Sequence, residues 1–356
     1  MKIAIWGSYN YGNYGDDIMA VQFANHIKEL GAIPIVYRLD RKLAEQYQIL
    51  TTASIDELLD NAKFCIIGGG GMLVGESKKK KAVDRAVDDA FDDDFKELYE
   101  ASVAKQCQVF PISVGGDGRG EDTPLPLWRN KFWSGVTCSD STVRLKQDIS
   151  LVKKLGKNAT YYPDVLFSVA DFWKIAEISK SETQVRVGIN LMNSRKTRLL
   201  ALLLNNIASI KKNIVFYFIR SSLPNYTHNR ELLPQIDSPY IKHYIHSDPL
   251  STLELLNSLD LIVSHKLHLG LTALSLNVPF YSWNSSGKTK TFLNSIDASS
   301  AIYKPKDIVR LIANITSVDR ILQAKTKFNF AMLEQYRVDS HGHMNFLKDL
   351  IERHTQ

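Results

Sequence analysis

The densest set of side chains able to do chemistry is Ser264-His265-Lys266-Leu267-His268, set inside the otherwise apolar run from Leu261 to Trp283. One cation and two imidazoles are poor core material. They suit an anion and a proton transfer, because an imidazole's unperturbed pKa of about 6.5 lies near working pH. His265 and His268 are three apart and can share a helix face. The intervening glutamate of an HExxH zinc helix is missing, so no metal is expected. A hydrogen-bonded structural histidine is the competing reading for either ring. Further cations flank the stretch, Arg195 and Arg198 before it and Lys288 after it.

Two glycine-rich stretches could complement those cations with backbone donors. The first is Lys2 to Asp17, KIAIWGSYNYGNYGDD, where Gly12, Asn13 and Gly15 precede Asp16 and Asp17 at the start of an amphipathic helix. Strand, glycine loop and helix N-terminus together offer bare N–H groups and a positive dipole end to an anion. An ordinary glycine-rich βα turn reads the same way, since the spacing is neither the dinucleotide fingerprint nor a P-loop. The second is Gly68–Gly71, directly after the apolar run Lys63–Ile67.

The elements that must position these groups alternate between strand and helix. In the first half, Lys2–Trp6, Ile33–Arg38, Lys63–Ile67 and Gln108–Val114 read as buried strands, and Ser54 caps a short helix to Leu59. Val83 to Leu98 has helical spacing and an acidic face expected to be solvated. Gly135–Cys138 reads as a short strand, and a helix is expected from Asp140 or Ser141 to Gly156. The polar stretch 176–184 reads as a linker. Alternation then restarts: strands at Val185–Met192, Ile214–Arg220, Tyr240–His246, Asp260–Ser264 and Val278–Trp283, and helices at Thr197–Ile210, Asn225–Ile236, Pro249–Leu259, Lys266–Leu276 and Lys288–Ile296. Residues after 316 read as a helical tail. The expected fold is α/β, with two doubly wound Rossmann-like domains, 1–178 and 185–316, in a glycosyltransferase-B-like arrangement with C-terminal helices at 317–356. Ligands would sit where both sheets present their carboxyl ends.

Bulk composition agrees with a soluble globular chain: 356 residues, 44% hydrophobic and 23% charged. Cys65, Cys107 and Cys138 form no CxxC pair and read as reduced core thiols, which, with no signal peptide at the N-terminus, points to the cytoplasm. The net charge of +6 is scattered; it suits anionic substrates or a loose, peripheral hold on the inner face of an acidic membrane, and gives no case for nucleic acid.

Taken in order, these stretches resemble the polysaccharide pyruvyl transferases. Five elements carry the resemblance over residues 3 to 295: Gly7 through Gly12-Asn13-Tyr14-Gly15-Asp16; Ile66-Ile67-Gly68-Gly69-Gly70-Gly71; Asp164-Val165-Leu166-Phe167; Lys266-Leu267-His268 with Asn277-Val278-Pro279; and Tyr281 with Lys288. The chain departs from the family at Ser139-Asp140, where an Arg-Asp is usual, and at Lys266, where an Arg is usual; the two cations are not interchangeable at bidentate sites. The resemblance implies transfer of a pyruvyl group from phosphoenolpyruvate to two hydroxyls of a sugar, in a cell-surface polysaccharide or its lipid-linked precursor, as a cyclic ketal. It needs no cofactor or metal beyond the donor substrate. On that reading His268, Lys266 and Asp16 are the catalytic candidates. Gly12, Asn13, Gly15, Gly69, Gly70, Gly71, Arg195, Arg198, His265 and Lys288 are the substrate-binding ones. A glycosyltransferase using a nucleotide sugar would share the architecture, and a sugar-binding scaffold without activity is the non-enzyme alternative.

Overall fold

The computed structural model describes residues 1–76, 82–175, 184–226 and 230–355, with side chains in the helix Ala82–Ala104 described from residue 89. The expected linker, apart from Gln184, lies outside the described residues. The chain divides into two compact units: Met1–Asn10 with Asp16–Val165 and Asp339–Gln356, and Tyr11–Gly15 with Leu166–Val338. Two short excursions therefore cross the simple N-to-C partition, and each has a physical cause given below.

In the first unit, β1 (Lys2–Trp6), β2 (Ile33–Tyr37), β3 (Leu50–Thr52), β4 (Ala62–Gly68) and β5 (Val109–Ile112) form one sheet in the order β3-β2-β1-β4-β5, with every pairing parallel. The central strands are apolar on both faces because helices cover both; Ile3, Ala4, Ile5 and Trp6 are fully buried. Trp6 packs on Phe91 and Phe95, with ring centroids 5.9 and 4.7 Å away, which draws the helix Ala82–Ala104 onto the sheet. That helix's acidic face is not simply solvated. Asp94 pairs with Arg38 at 2.8 Å, and Asp92 accepts the N–H groups of Trp128 and Arg129 at the start of the helix Leu127–Ser134.

Two expectations fail between residues 135 and 156. Gly135 closes the helix Leu127–Ser134, and Cys138 makes only one bridge, to Val109. The expected helix from 140 is instead β6 (Ser141–Val143), paired in parallel with β7 (Ala159–Tyr161), and the helix begins at Asp148. The β-branched, fully buried Thr142 and Val143 favour a strand. Gly156, at φ +79°, follows that helix as expected. The Asp-x-x-Phe element lies on a short 3₁₀ turn, Val165–Ser168.

The second unit repeats the plan. β8 (Val185–Asn190), β9 (Ile214–Arg220), β10 (Ile241–Ile245), β11 (Leu261–Ser264), β12 (Phe280–Trp283) and β13 (Ile302–Tyr303) lie in the order β10-β9-β8-β11-β12-β13, all parallel. Ser194 and Thr197 form a capping box on the helix Arg195–Lys211, and Asp248 caps the helix Pro249–Ser258. The helix expected at Asn225–Ile236 is absent among its described residues. Its backbone is spent elsewhere: Arg230 O accepts from Asn193 N–H, Leu232 N–H donates to Leu191 O, and Pro234 adds no donor.

The two excursions are hydrogen-bonded additions. Tyr11–Gly15 lies along the segment after β9: Tyr14 N–H donates to Ser221 O at 2.9 Å, Leu223 N–H to Gly12 O at 2.8 Å, and Asn13 bridges Ser222. The final helix, Gly342–Thr355, returns to the first unit. There His354 lies 4.9 Å from the ring of Phe64, and His343 Nδ1 meets Thr142 Oγ1 at 2.7 Å. Among the described residues, no helix is long and apolar enough to cross a membrane. All three cysteines are buried and free. In each sheet the strand order reverses beside the first strand, at β1/β4 and at β8/β11, the positions where doubly wound sheets open a crevice.

Candidate functional site

At the β8/β11 reversal the register sets Asn190 opposite Ser264, both at the carboxyl ends of their strands and both fully buried. Ser264 Oγ donates to Asn190 Oδ1 at 2.8 Å. Asn190 Nδ2 donates to Ile219 O at 2.9 Å and to Glu231 Oε1 at 2.8 Å. Glu231 also accepts the N–H and the hydroxyl of Ser221, each at 2.7 Å. Burial pushes this carboxyl up, but the Lys266 charge and the hydrogen bonds from Ser221 and Asn190 outweigh it and hold it below the usual value. Glu231 is an anion at neutral pH, 8% exposed, fixed by three donors.

His265 is held by the same strand end. Its N–H and its Nδ1 both approach Asn190 O at 3.1 Å. A carbonyl only accepts, so Nδ1 carries the hydrogen and Nε2 is the acceptor nitrogen, 4.0 Å from Glu231 Oε1. Burial, aided by the neighbouring Lys266 charge, pulls the ring below its ordinary pKa despite the Asn190 and Glu231 contacts, so it is neutral at pH 7. Lys266 occupies the cap position of the helix Leu267–Ser275, its N–H hydrogen-bonded to Ser264 Oγ at 2.9 Å. A half-buried lysine at a helix N-terminus beside an ionised glutamate can hold an anionic group.

His268 is the second residue of that helix, and the opening glycine loop reaches it. A Cβ on Gly15 would fall inside the His268 ring, and one on Gly12, at φ +54°, would fall inside the Tyr226 ring. Glycine at both positions is therefore a matter of close approach. The second unit thus gathers Gly12, Asn13, Gly15, His265, Lys266 and His268 with Glu231 and Asn190. Lys288 stands half-buried in the first turn of the helix Gly287–Ser295, after β12. Arg195 and Arg198 are exposed in the first turn of their helix.

The remaining candidates belong to the first unit. Asp16 is half-buried in the first turn of the helix Tyr14–Glu29. Gly69 and Gly70 lie at φ +80° and +90° at the end of β4, with Gly71 next to them. Gly69 N–H donates to Ile112 O at 2.8 Å and Gly70 O accepts from Gly115 N–H at 3.0 Å, so the Gly69 amide is spent on the fold rather than offered to phosphate. A polar core follows. Arg144, just after β6, pairs with Asp164 at 2.7 Å with both side chains buried, and Asp148 accepts Gly116 N–H at 2.7 Å. Sequence reasoning missed Glu231 because it read Asn225–Ile236 as a helix and assigned it no role. It missed Arg144 because the segment from 140 was read as a helix, whereas Arg144 follows a strand and meets Asp164. Among the described residues, no group of three His, Cys, Asp or Glu side chains is placed to hold a metal ion.

A family model described as polysaccharide pyruvyl transferase matches residues 13–286. A search of curated proteins returns no match. Among solved structures, the S. aureus protein MnaA in complex with UDP superposes with a TM-score of 0.60 at 11% identity, covering 99% of this chain and 97% of that one. A UDP-GlcNAc 2-epimerase from Neisseria meningitidis, bound to UDP-GlcNAc, gives 0.59 at 10%, covering 99% and 100%. The glycosyltransferase SnogD from Streptomyces nogalater gives 0.51 at 8%, covering 99% of each chain. At such identities the likeness speaks for the fold: α/β, two Rossmann-like halves, glycosyltransferase-B-like, with C-terminal helices.

Proposed function

The chain belongs to the polysaccharide pyruvyl transferase family, and from that premise we propose that it moves a pyruvyl group from phosphoenolpyruvate onto two hydroxyls of one sugar, closing a cyclic ketal. The acceptor is a cell-surface polysaccharide or its lipid-linked precursor. The observation that supports this reading best is the ionic cluster at the β8/β11 reversal, where a fixed Glu231 anion sets Lys266 and a neutral His265 at the strand ends.

The chemistry runs in balanced steps. An acid protonates the donor's methylene carbon, a sugar oxygen bonds to C2, and a second sugar oxygen then displaces phosphate from C2. Two hydroxyl protons are lost; one equivalent ends on the new methyl group and the other leaves with phosphate. His268, in van der Waals reach of the Gly15 backbone, accepts the hydroxyl proton. Lys266 and Lys288 neutralise the donor carboxylate and phosphate. Asp16, one residue beyond Gly15, is the carboxyl group for the second proton transfer. Glu231 and Asn190 touch neither reactant in this scheme; they orient His265 and Lys266.

Transfer of a glycosyl group is the competing reading, since the S. aureus and Neisseria neighbours are recorded with UDP and UDP-GlcNAc. Purified protein with phosphoenolpyruvate and a panel of lipid-linked saccharides should release inorganic phosphate and yield a ketal-bearing saccharide by mass. Release of UDP from a UDP-sugar with the same panel, and no phosphate from phosphoenolpyruvate, would favour the competitor.

A further inference from the structure

The helix Arg195–Lys211 carries two apolar stripes where a surface helix needs one. Leu200, Ala201, Leu204 and Ala208 are buried. On the opposite side Leu199, Leu202, Leu203 and Ile210 are 59%, 53%, 42% and 81% exposed, at three- and four-residue steps broken only by Asn206. Leucines in water on a continuous helical face require a reason. The charges around them supply it. Arg195, Lys196 and Arg198 rim the face at its N-terminal end, all exposed, and Lys212 follows at its C-terminal end. Lys211 donates to Thr316 O and ties that end of the helix to the unit. From residue 183 to residue 230 the sequence contains no Asp or Glu and eight Lys or Arg, more positive charge than the whole chain's net +6.

We propose that this face lies on an anionic lipid bilayer, with the leucines entering the headgroup boundary and the basic rim meeting lipid phosphates. An apolar strip on a cationic, acid-free helix is the pattern of an interfacial helix. A second copy of the chain is the poorer occupant, because apposing two such faces would bring like-charged rims together. Arg195 and Arg198, first read as substrate-binding cations, then serve the membrane.

The test is flotation with phosphatidylcholine vesicles made with and without phosphatidylglycerol, and it needs no turnover. Wild type should float with the anionic vesicles, stay behind with phosphatidylcholine alone, and detach as salt rises. Each basic residue at an anionic surface is worth about five-fold in partition, so R195Q/K196Q/R198Q should bind on the order of 100-fold more weakly. L199Q/L203Q should lose about as much, with unchanged thermal unfolding because both leucines are exposed. Failure of wild type to float, equal binding to uncharged vesicles, or undiminished binding by L199Q/L203Q would overturn the proposal. So would light scattering in which L199Q/L203Q turns a dimer into a monomer without changing vesicle binding.

Discussion

The two halves share a strand order and differ in what stands at its reversal. At β1/β4 the space is filled by backbone and soft apolar groups. Gly69 and Gly70 turn in the left-handed region, Tyr9 OH caps Gly68 O at 2.7 Å, and Met19 and Met72 sit where any Cβ would go. At β8/β11 the same topology carries Asn190, Ser264, Glu231, His265 and Lys266 in one hydrogen-bonded cluster. Buried ionic groups are costly unless paired and bonded, so a fold that needs only stability has little reason to keep them. The contrast teaches that topology marks both places for ligands, while among the described residues the hydrogen-bonded cluster of imidazole, ammonium and carboxylate stands at the second. The first unit's buried Arg144–Asp164 pair follows β6, a strand of the separate two-stranded sheet.

The largest effect should come from Glu231. Glu231→Leu leaves Ser221 N–H and Asn190 Nδ2 without their acceptor and removes the anion facing Lys266, a loss of about 3–5 kcal/mol by analogy with one-sided disruption of buried pairs. Urea unfolding and phosphate release measured together should both fall. An unchanged midpoint would make the cluster far less essential to the second unit than its geometry implies.

Next come two glycines that separate the halves. Gly15→Ala drives a methyl into the His268 ring and should lower turnover about as far as His268→Asn, by ~10²–10⁴-fold, with donor binding kept. Near-normal turnover in His268→Asn would remove that ring from the mechanism and promote His265. Gly70→Val forces a β-branched residue to φ +90° and against Met72, so it should cost stability first, on the order of 1–3 kcal/mol by melting. If Gly70→Val melted normally and only turnover fell, the β1/β4 reversal would share the chemistry and the contrast would break.

Much of this was legible in sequence. Parallel α/β alternation followed from apolar runs such as Ile3–Trp6 and Leu261–Ser264, and Ser54 and Asp248 announced their helices by their own chemistry. The SHKLH cluster and the glycine loop were visible as residue types. Their meeting was not, because the contact between Gly15 and His268 depends on a loop adding to the segment after β9, which no local pattern encodes. Glu231 was hidden for the same reason: its partners are Ser221 and Asn190, and its own stretch, Asn225–Ile236, reads as a helix. The strand at Ser141–Val143 was lost to a polar beginning, although Thr142 is buried by His343 from the far end of the chain.

That long-range contact gives a smaller, pH-dependent effect confined to the first unit. His343 Nε2–H donates to Pro163 O at 2.9 Å, so Nδ1 must accept from Thr142 Oγ1, and the ring is held neutral. Burial, together with the Arg144 charge, lowers its pKa from 6.5 to about 3. A folded value below the unfolded one means protons favour unfolding. The stability is complete above pH 6.5 and is lost as pH falls toward 3, by about 2 kcal/mol at pH 5. His26 and His265, also lowered by burial, contribute with the same sign, so the decisive comparison is with His343→Gln. Its unfolding midpoint should change less between pH 7.5 and 5 than that of wild type, and an equal change would deny the ring this role.

The smallest effect expected is at Lys288. It follows β12, the neighbour of β11, and stands in the first turn of the helix Gly287–Ser295, so its charge adds to a helix end that already favours an anion. Where Lys266 follows β11 and lowers Glu231's pKa, Lys288 stands one strand away, after β12. Its removal should therefore leave the cluster intact and cost only a grip on the donor, roughly 1.4 kcal/mol, or tenfold in KM for phosphoenolpyruvate, with kcat within about twofold. Lys266→Ala should lose both parameters, because the same charge, with the Ser221 and Asn190 hydrogen bonds, lowers Glu231's pKa. If Lys288→Ala instead lowered kcat at an unchanged KM, its ammonium would be stabilising charge that appears only in the transition state. The chemistry would then extend from the β8/β11 reversal onto the helix after β12.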